Sequence, residues 1–242
     1  MKNVLLIDSG SGGVNILAES VRVAPYCNFL LFCDDKNMPY GNKSKEVLIE
    51  TTLNNLEMIK TFFDFEIVVM ACNTLTSTCL EVCREKYSYV EFIGTVPAIK
   101  PALKQFDKND VLVLATQNTL ENSVIIRKNK GIKTLALPWL ANEIDANLDN
   151  VEVFRNRLAE ELLGTNVKAV VLGCTHYSSI SAMLEQILGK GLKIYDSANG
   201  VARRLLSFVQ SETINYKVQI MVSQNYNLLP MFWNHFYNKV NS

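Results

Sequence analysis

Two hydrophobic rhythms alternate along the chain. Short runs that are apolar at nearly every position occur at residues 4–7, 29–32, 67–70, 111–114 and 169–172, separated by longer stretches whose apolar residues recur at helical spacing. A run with no polar alternation is a strand covered on both faces, as in a parallel sheet packed between helices. Weaker runs at 90–93, 133–137, 193–195 and 218–222 extend the set to nine expected strands. Helices are expected at 14–22, 44–63, 76–86, 98–104, 120–128, 153–163, 179–188, 201–209 and 228–240. The expected fold class is α/β. Nine strands suit two small sheets better than one, and no low-complexity linker separates the halves.

An internal echo sharpens this picture. Val68-Val69-Met70-Ala71-Cys72-Asn73-Thr74 resembles Val170-Val171-Leu172-Gly173-Cys174-Thr175-His176, each a buried run ending in a thiol and small polar residues. The run at 4–7 leads into Asp8-Ser9 and that at 111–114 leads into Thr116, each about sixty residues before its cysteine. The expectation is two similar lobes, 1–94 plus 200–242 and 95–199, each a mainly parallel sheet covered by helices. Open parallel sheets bind ligands beyond the carboxyl ends of their strands, so facing lobes would put one thiol on each side of a single cleft.

Composition narrows the function classes. Lys plus Arg and Asp plus Glu both number 24, so no basic surface is advertised for nucleic acid or anionic lipid. No apolar run approaches the roughly 18 residues of a membrane span, and the N-terminal apolar run ends at Asp8, unlike a signal peptide. A cytoplasmic location is the expectation. Six cysteines without dense, regular spacing point to reduced thiols. Cys27, Cys33, Cys79 and Cys83 read as small buried hydrophobes, and Cys72, Cys79 and Cys83 lack the paired spacing of a structural zinc site.

Cys72 and Cys174 each fall where a strand gives way to a helix, so backbone amides and the helix dipole could favour the thiolate. Either cysteine alone is more simply core; two in matching contexts make a pair of bases. Opposed thiols suit inversion at a carbon with a removable proton, one taking the proton from one face while the other delivers one to the opposite face. Asp8 is placed to assist Cys72 and His176 to assist Cys174, although Asp8 could equally cap a helix and His176 serve as an ordinary loop residue. Ser9-Gly10-Ser11-Gly12-Gly13 could receive an anionic group or simply form a tight turn; it is neither a P-loop nor a dinucleotide fingerprint. A cysteine-protease reading of Cys174 and His176 leaves Cys72 unexplained.

Asp8-Ser9-Gly10-Ser11-Gly12-Gly13, Pro39-Tyr40-Gly41-Asn42-Lys43-Ser44, Ala71-Cys72-Asn73-Thr74 and Leu172-Gly173-Cys174-Thr175-His176-Tyr177 resemble, in order, the signature segments of the aspartate/glutamate racemase family, specifically its glutamate racemase branch. The resemblance runs to about residue 200. It implies a two-lobed enzyme with the active site between the lobes, interconverting L- and D-glutamate without a cofactor or metal and supplying D-glutamate for peptidoglycan. By motif, Cys72 is the base for D-glutamate and Cys174 the base for L-glutamate, with Asp8 and His176 assisting. Ser9, Pro39, Tyr40, Gly41, Asn73, Thr74 and Thr175 match substrate-contacting positions, and Thr116 and Thr119 match a further binding segment. The implied partner is a small amino acid, with neither nucleic acid nor membrane involved and a homodimer left open.

Two departures stand out. Ala115-Thr116-Gln117-Asn118-Thr119 replaces glycines common in the family, and Leu137 precedes Pro138 where the family usually has cysteine. Downstream, Glu143 and Asp145 both remain candidates for the family's acidic position. Rival readings are racemisation of aspartate or another amino acid, an inactive amino-acid-binding homologue, and a phosphate- or nucleotide-binding α/β protein.

Overall fold

A computed structural model describes residues 1–209 and 213–241. The strands are β1 (Lys2–Asp8), β2 (Cys27–Cys33), β3 (Ile67–Met70), β4 (Glu91–Gly94), β5 (Val111–Ala115), β6 (Lys133–Ala136), β7 (Ala169–Gly173), β8 (Lys193–Tyr195) and β9 (Lys217–Val222). The helices are α1 (Gly12–Val23), α2 (Lys45–Lys60), α3 (Asn73–Lys86), α4 (Ile99–Leu103), α5 (Gln117–Asn122), α6 (Val124–Lys128), α7 (Leu140–Ala146), α8 (Arg155–Glu161), α9 (Ser181–Leu188), α10 (Ala198–Leu206) and α11 (Leu229–Val240).

The strands form two parallel sheets, β4-β3-β1-β2-β9 and β6-β5-β7-β8, giving the two-lobe α/β fold. β9 pairs with β2 and α11 packs on α1, so the end of the chain returns to the first sheet. Apolar side chains cover both faces of each sheet, which is why the central strands carry no polar alternation. Val4, Leu6 and Val69 lie in one core layer, while Leu5, Ile7 and Val68 lie in the layer beneath. Each such side chain contributes about 1.5–3 kcal/mol by leaving water, so slipping one strand by a residue would exchange the layers and misfit both.

Two central pairings set up the site. β1 runs beside β3 in register Ile7 with Met70, and β5 beside β7 in register Ala115 with Gly173. Asp8 and Cys72 therefore emerge together from one sheet, and Thr116 and Cys174 from the other. The expected helix at 120–128 is instead two, because Ser123 between α5 and α6 is extended. The pattern gave no warning of α7, a short helix that buries Leu140, Ala141, Ile144 and Asp145. Cys27, Cys33, Cys79 and Cys83 are buried free thiols, as expected. Among the described residues, no helix is long and apolar enough to cross a membrane.

Candidate functional site

The first lobe supplies a carboxylate and a thiol. Asp8 ends β1 fully buried, with Oδ1 accepting the Ser9 N–H at 2.6 Å and Oδ2 accepting the Thr175 hydroxyl from the other lobe at 2.9 Å. Burial pushes its pKa up to about 6 against the opposing pull of His176 and these hydrogen bonds. Cys72 stands just before α3. Burial, reinforced by the Asp8 carboxylate, pushes its thiol well above the ordinary range, and hydrogen bonds from the Leu75 and Thr74 amides offset only part of this. The sequence expectation that a helix end favours the thiolate is thus reversed at Cys72: desolvation outweighs the amides, and the resting form is the thiol.

The second lobe supplies the other thiol in a different electrostatic setting. Cys174 follows β7 and leads into a 3-10 turn over Thr175–Ile180 rather than an α-helix, so the helix-dipole expectation does not carry over to it. His176 Nδ1 lies 3.7 Å from Cys174 Sγ, and Nε2 lies 3.2 Å from Asp145 Oδ2. Burial alone would depress the imidazole, but the charge and hydrogen bond of Asp145 outweigh it and hold His176 well above its ordinary pKa. Burial likewise opposes ionisation of Asp145, yet His176 and Ser11 hold that carboxyl below its usual range. The pair is an imidazolium and a carboxylate, and the imidazolium faces Cys174 sulfur. At about 4 Å and a protein-like effective dielectric, a unit charge on that sulfur would gain on the order of 4 kcal/mol of attraction.

A third group lies across the same interface. The Thr74 hydroxyl is 3.0 Å from that of Thr116 and 3.2 Å from that of Thr119, and Thr116 and Thr119 are 3.0 Å apart. Gly41 packs on Thr116, where an added Cβ would lie 2.8 Å from its side chain. Asn73 donates to the Thr95 carbonyl at 3.2 Å, leaving its buried Oδ1 without a partner.

Most sequence-selected residues therefore converge. Asp8, Ser9, Cys174, Thr175 and His176 form one contiguous group, and Gly41, Thr74, Thr116 and Thr119 form another. Cys72 is close enough to Asp8 and Cys174 for their charges to raise its pKa. Tyr40 is buried, its hydroxyl donates to Asp34 at 2.7 Å, and it lies near enough to Cys72 and Asp8 for their charges to raise its pKa; half-buried Pro39 precedes it. Of the two acids left open, Asp145 meets His176 and Ser11, whereas Glu143 bonds Asn147 and lies off the site. Sequence reasoning named Ser11 only within the turn at 9–13 and gave it no role of its own; a serine in a glycine turn was the signal available. Among the described residues, no cluster of three or more His, Cys, Asp or Glu side chains could hold a metal ion.

The family model for Asp/Glu/hydantoin racemase matches residues 29–205. The chain is 33% identical over 218 residues to a glutamate racemase of Clostridium novyi, covering 86% of this chain and 84% of that one. It is also 33% identical over 221 residues to one from Clostridium kluyveri, covering 88% and 84%. Among solved structures, Escherichia coli glutamate racemase in complex with L-glutamate and the activator UDP-MurNAc-Ala superimposes with a TM-score of 0.82 at 28% identity, over 97% of this chain and 95% of that one. A Bacillus anthracis glutamate racemase shares the fold with a TM-score of 0.84 at 23% identity, over 98% and 94%. With two thiols at equivalent strand ends, and with this match in sequence and fold, the chain belongs to the Asp/Glu/hydantoin racemase family.

Proposed function

We propose that this protein interconverts L- and D-glutamate by proton transfer at the α-carbon, with Cys72 and Cys174 as the two bases. The observation that carries the reading is electrostatic asymmetry between otherwise matching thiols. Cys72 rests as a thiol beside Asp8, while Cys174 faces an imidazolium that compensates negative charge on sulfur. Racemisation needs one thiol to deliver a proton and one thiolate to abstract one, and an imidazolium beside sulfur is the arrangement that stabilises the charge on the second. From L-glutamate, Cys174 takes the α-proton and Cys72 delivers its own to the opposite face; the reverse reaction exchanges the roles. Asp8 assists Cys72 by accepting a proton near neutral pH, and His176, oriented by Asp145, assists Cys174.

Binding follows from the same groups. The unpartnered Oδ1 of Asn73 is an acceptor for the substrate ammonium, since leaving it bare costs about 1–3 kcal/mol. The hydroxyls of Thr74, Thr116 and Thr119, with Gly41 beside them, and Ser9 and Thr175 in the group around Asp8 supply polar contacts for the carboxylates. Cys72 and Cys174 are each only 7% exposed, so the lobes must part to admit substrate. The relatives named glutamate racemase support glutamate over other amino acids, and the product D-glutamate is a peptidoglycan building block. The test is a racemisation assay by optical rotation, on protein dialysed against chelator, with L-glutamate, D-glutamate and L-aspartate in separate reactions. Decay of the glutamate signal is expected; decay with aspartate alone would reassign the substrate, and loss of activity restored by pyridoxal phosphate or a metal would overturn the two-thiol mechanism.

A further inference from the structure

Asp145 and His176 both belong to the second lobe, yet the Asp145 carboxylate is held by the first. Ser11, in the turn between β1 and α1, directs its backbone N–H at both oxygens, at 3.3 and 3.2 Å, and its hydroxyl donates to Oδ1. That leaves Oδ2 aimed at His176 Nε2, whose ring turns Nδ1 toward Cys174. All four residues are buried, so water cannot replace a missing partner. Ser11, Asp145, His176 and Cys174 form one line that begins in one lobe and ends at a thiol of the other.

We propose that Ser11 is a positioning residue that couples closure of the lobes to the readiness of Cys174. With the lobes apart, Asp145 loses the Ser11 N–H and hydroxyl, and nothing else in this line fixes its Oδ2 toward His176. With the lobes together, the carboxylate is locked, the imidazolium is supported, and the sulfur facing it can carry charge. The abstraction machinery on this side is therefore completed by the same motion that encloses the substrate. This rests on the racemase reading of the site above.

Asn15 provides the contrast. Its Nδ2 donates to the Thr175 carbonyl at 3.1 Å, so it also holds the lobes together, but through the loop backbone rather than the Asp145–His176 line. A residue that merely glues the lobes should behave like Asn15; a positioning residue should not.

The experiment compares wild type, Ser11→Ala, Ser11→Thr and Asn15→Ala by NMR titration of the imidazole and by steady-state kinetics. The chain has only two histidines, so one comparison of wild type with His235→Gln assigns the His176 signal, which is then followed in each variant with His235 in place, because His235 Nε2 lies 3.0 Å from Asn15 Oδ1. Loss of the Ser11 hydroxyl loosens Asp145, and His176 should then release its proton at lower pH in Ser11→Ala but not in Asn15→Ala. In kinetics, Ser11→Ala should lower kcat about tenfold with a smaller change in KM, the scale of a hydrogen bond to a charged group. The substrate isotope effect should rise more for α-deuterated L-glutamate, whose proton goes to Cys174, than for D-glutamate. Ser11→Thr, which keeps the hydroxyl, should recover both readouts, and Asn15→Ala should act mainly on KM. An unchanged His176 titration in Ser11→Ala, or the same pattern in Ser11→Ala and Asn15→Ala, would overturn the inference. The titration needs no turnover, so wild type inactive on glutamate would sink the racemase reading separately.

Discussion

Replacing Gly12 by alanine sets helix propensity against the approach of the lobes. Gly12 is the first residue of α1, and alanine is favoured over glycine in a helix by up to about 1 kcal/mol. By local chemistry alone, Gly12→Ala should be neutral or stabilising. The added Cβ, however, would meet the Thr175 hydroxyl and lie 2.7 Å from both the backbone N and Nδ1 of His176. Restoring an ordinary contact of at least 3.4 Å requires about 0.7 Å of retreat, and although a side chain can turn aside, the His176 backbone cannot. The retreat moves the loop carrying Cys174, Thr175 and His176 away from Asp8 and Ser11. Misplacing catalytic groups by about 1 Å costs on the order of a hundredfold in rate, so kcat/KM for glutamate should fall by roughly that factor while the chain remains folded. Gly200→Ala is the matched control: it too lies in a helix, α10, but no atom lies within 4 Å of its Cβ position. It should raise the thermal midpoint slightly and leave turnover unchanged. Assays are initial racemisation rates in both directions alongside thermal unfolding. Wild-type kcat/KM in Gly12→Ala would refute the argument that close lobe contact at this turn is required for turnover.

Cys72→Ala and Cys174→Ala should each abolish racemisation, whereas Cys79→Ala, on the core-facing side of α3, should cost about 1–2 kcal/mol of stability in urea unfolding and keep its activity per folded molecule. Because the folded pKa of Asp8, about 6, lies above its ordinary 3.8, the stability it contributes is fully present below about pH 3.8 and lost as pH rises through about 6. Asp8→Asn should therefore gain stability over wild type between pH 4 and 7, by up to about 3 kcal/mol less the value of its lost hydrogen bonds; an equal difference at both pH values would show that the carboxylate is not strained by burial. Wild-type racemisation should also decline as pH falls through about 6, where Asp8 takes up its proton. In heavy water, D-glutamate formed early from L-glutamate should carry α-deuterium while recovered L-glutamate stays nearly unlabelled, and the reverse direction should mirror this; unlabelled product would rule out delivery by a solvent-exchanged thiol.

Much of the fold was legible in the chain because strands buried on both faces leave a plain signal. The runs at 4–7, 67–70, 111–114 and 169–172 became the central pairs of two parallel sheets. Cys72 and Cys174 were legible as a pair because each follows such a run, and the end of a parallel strand is where a backbone can present a side chain to a ligand. Helix α7 was not legible: seven residues are too few for a helical period to stand out, and nothing local distinguishes Asp145 from Glu143. Only packing against the Ser11 turn and His176 selects Asp145. The same holds for charge. Local sequence placed both thiols where a strand meets a helix, a setting that favours thiolates, but the folded chain surrounds Cys72 with apolar core and a carboxylate and gives Cys174 an imidazolium neighbour. The sequence by itself determined the two layered sheets and the positions of the thiols, through side-chain periodicity and chain order. Tertiary structure alone decided which acid orients His176 and how the two thiols differ, because desolvation and charge pairing depend on groups brought together from distant parts of the chain.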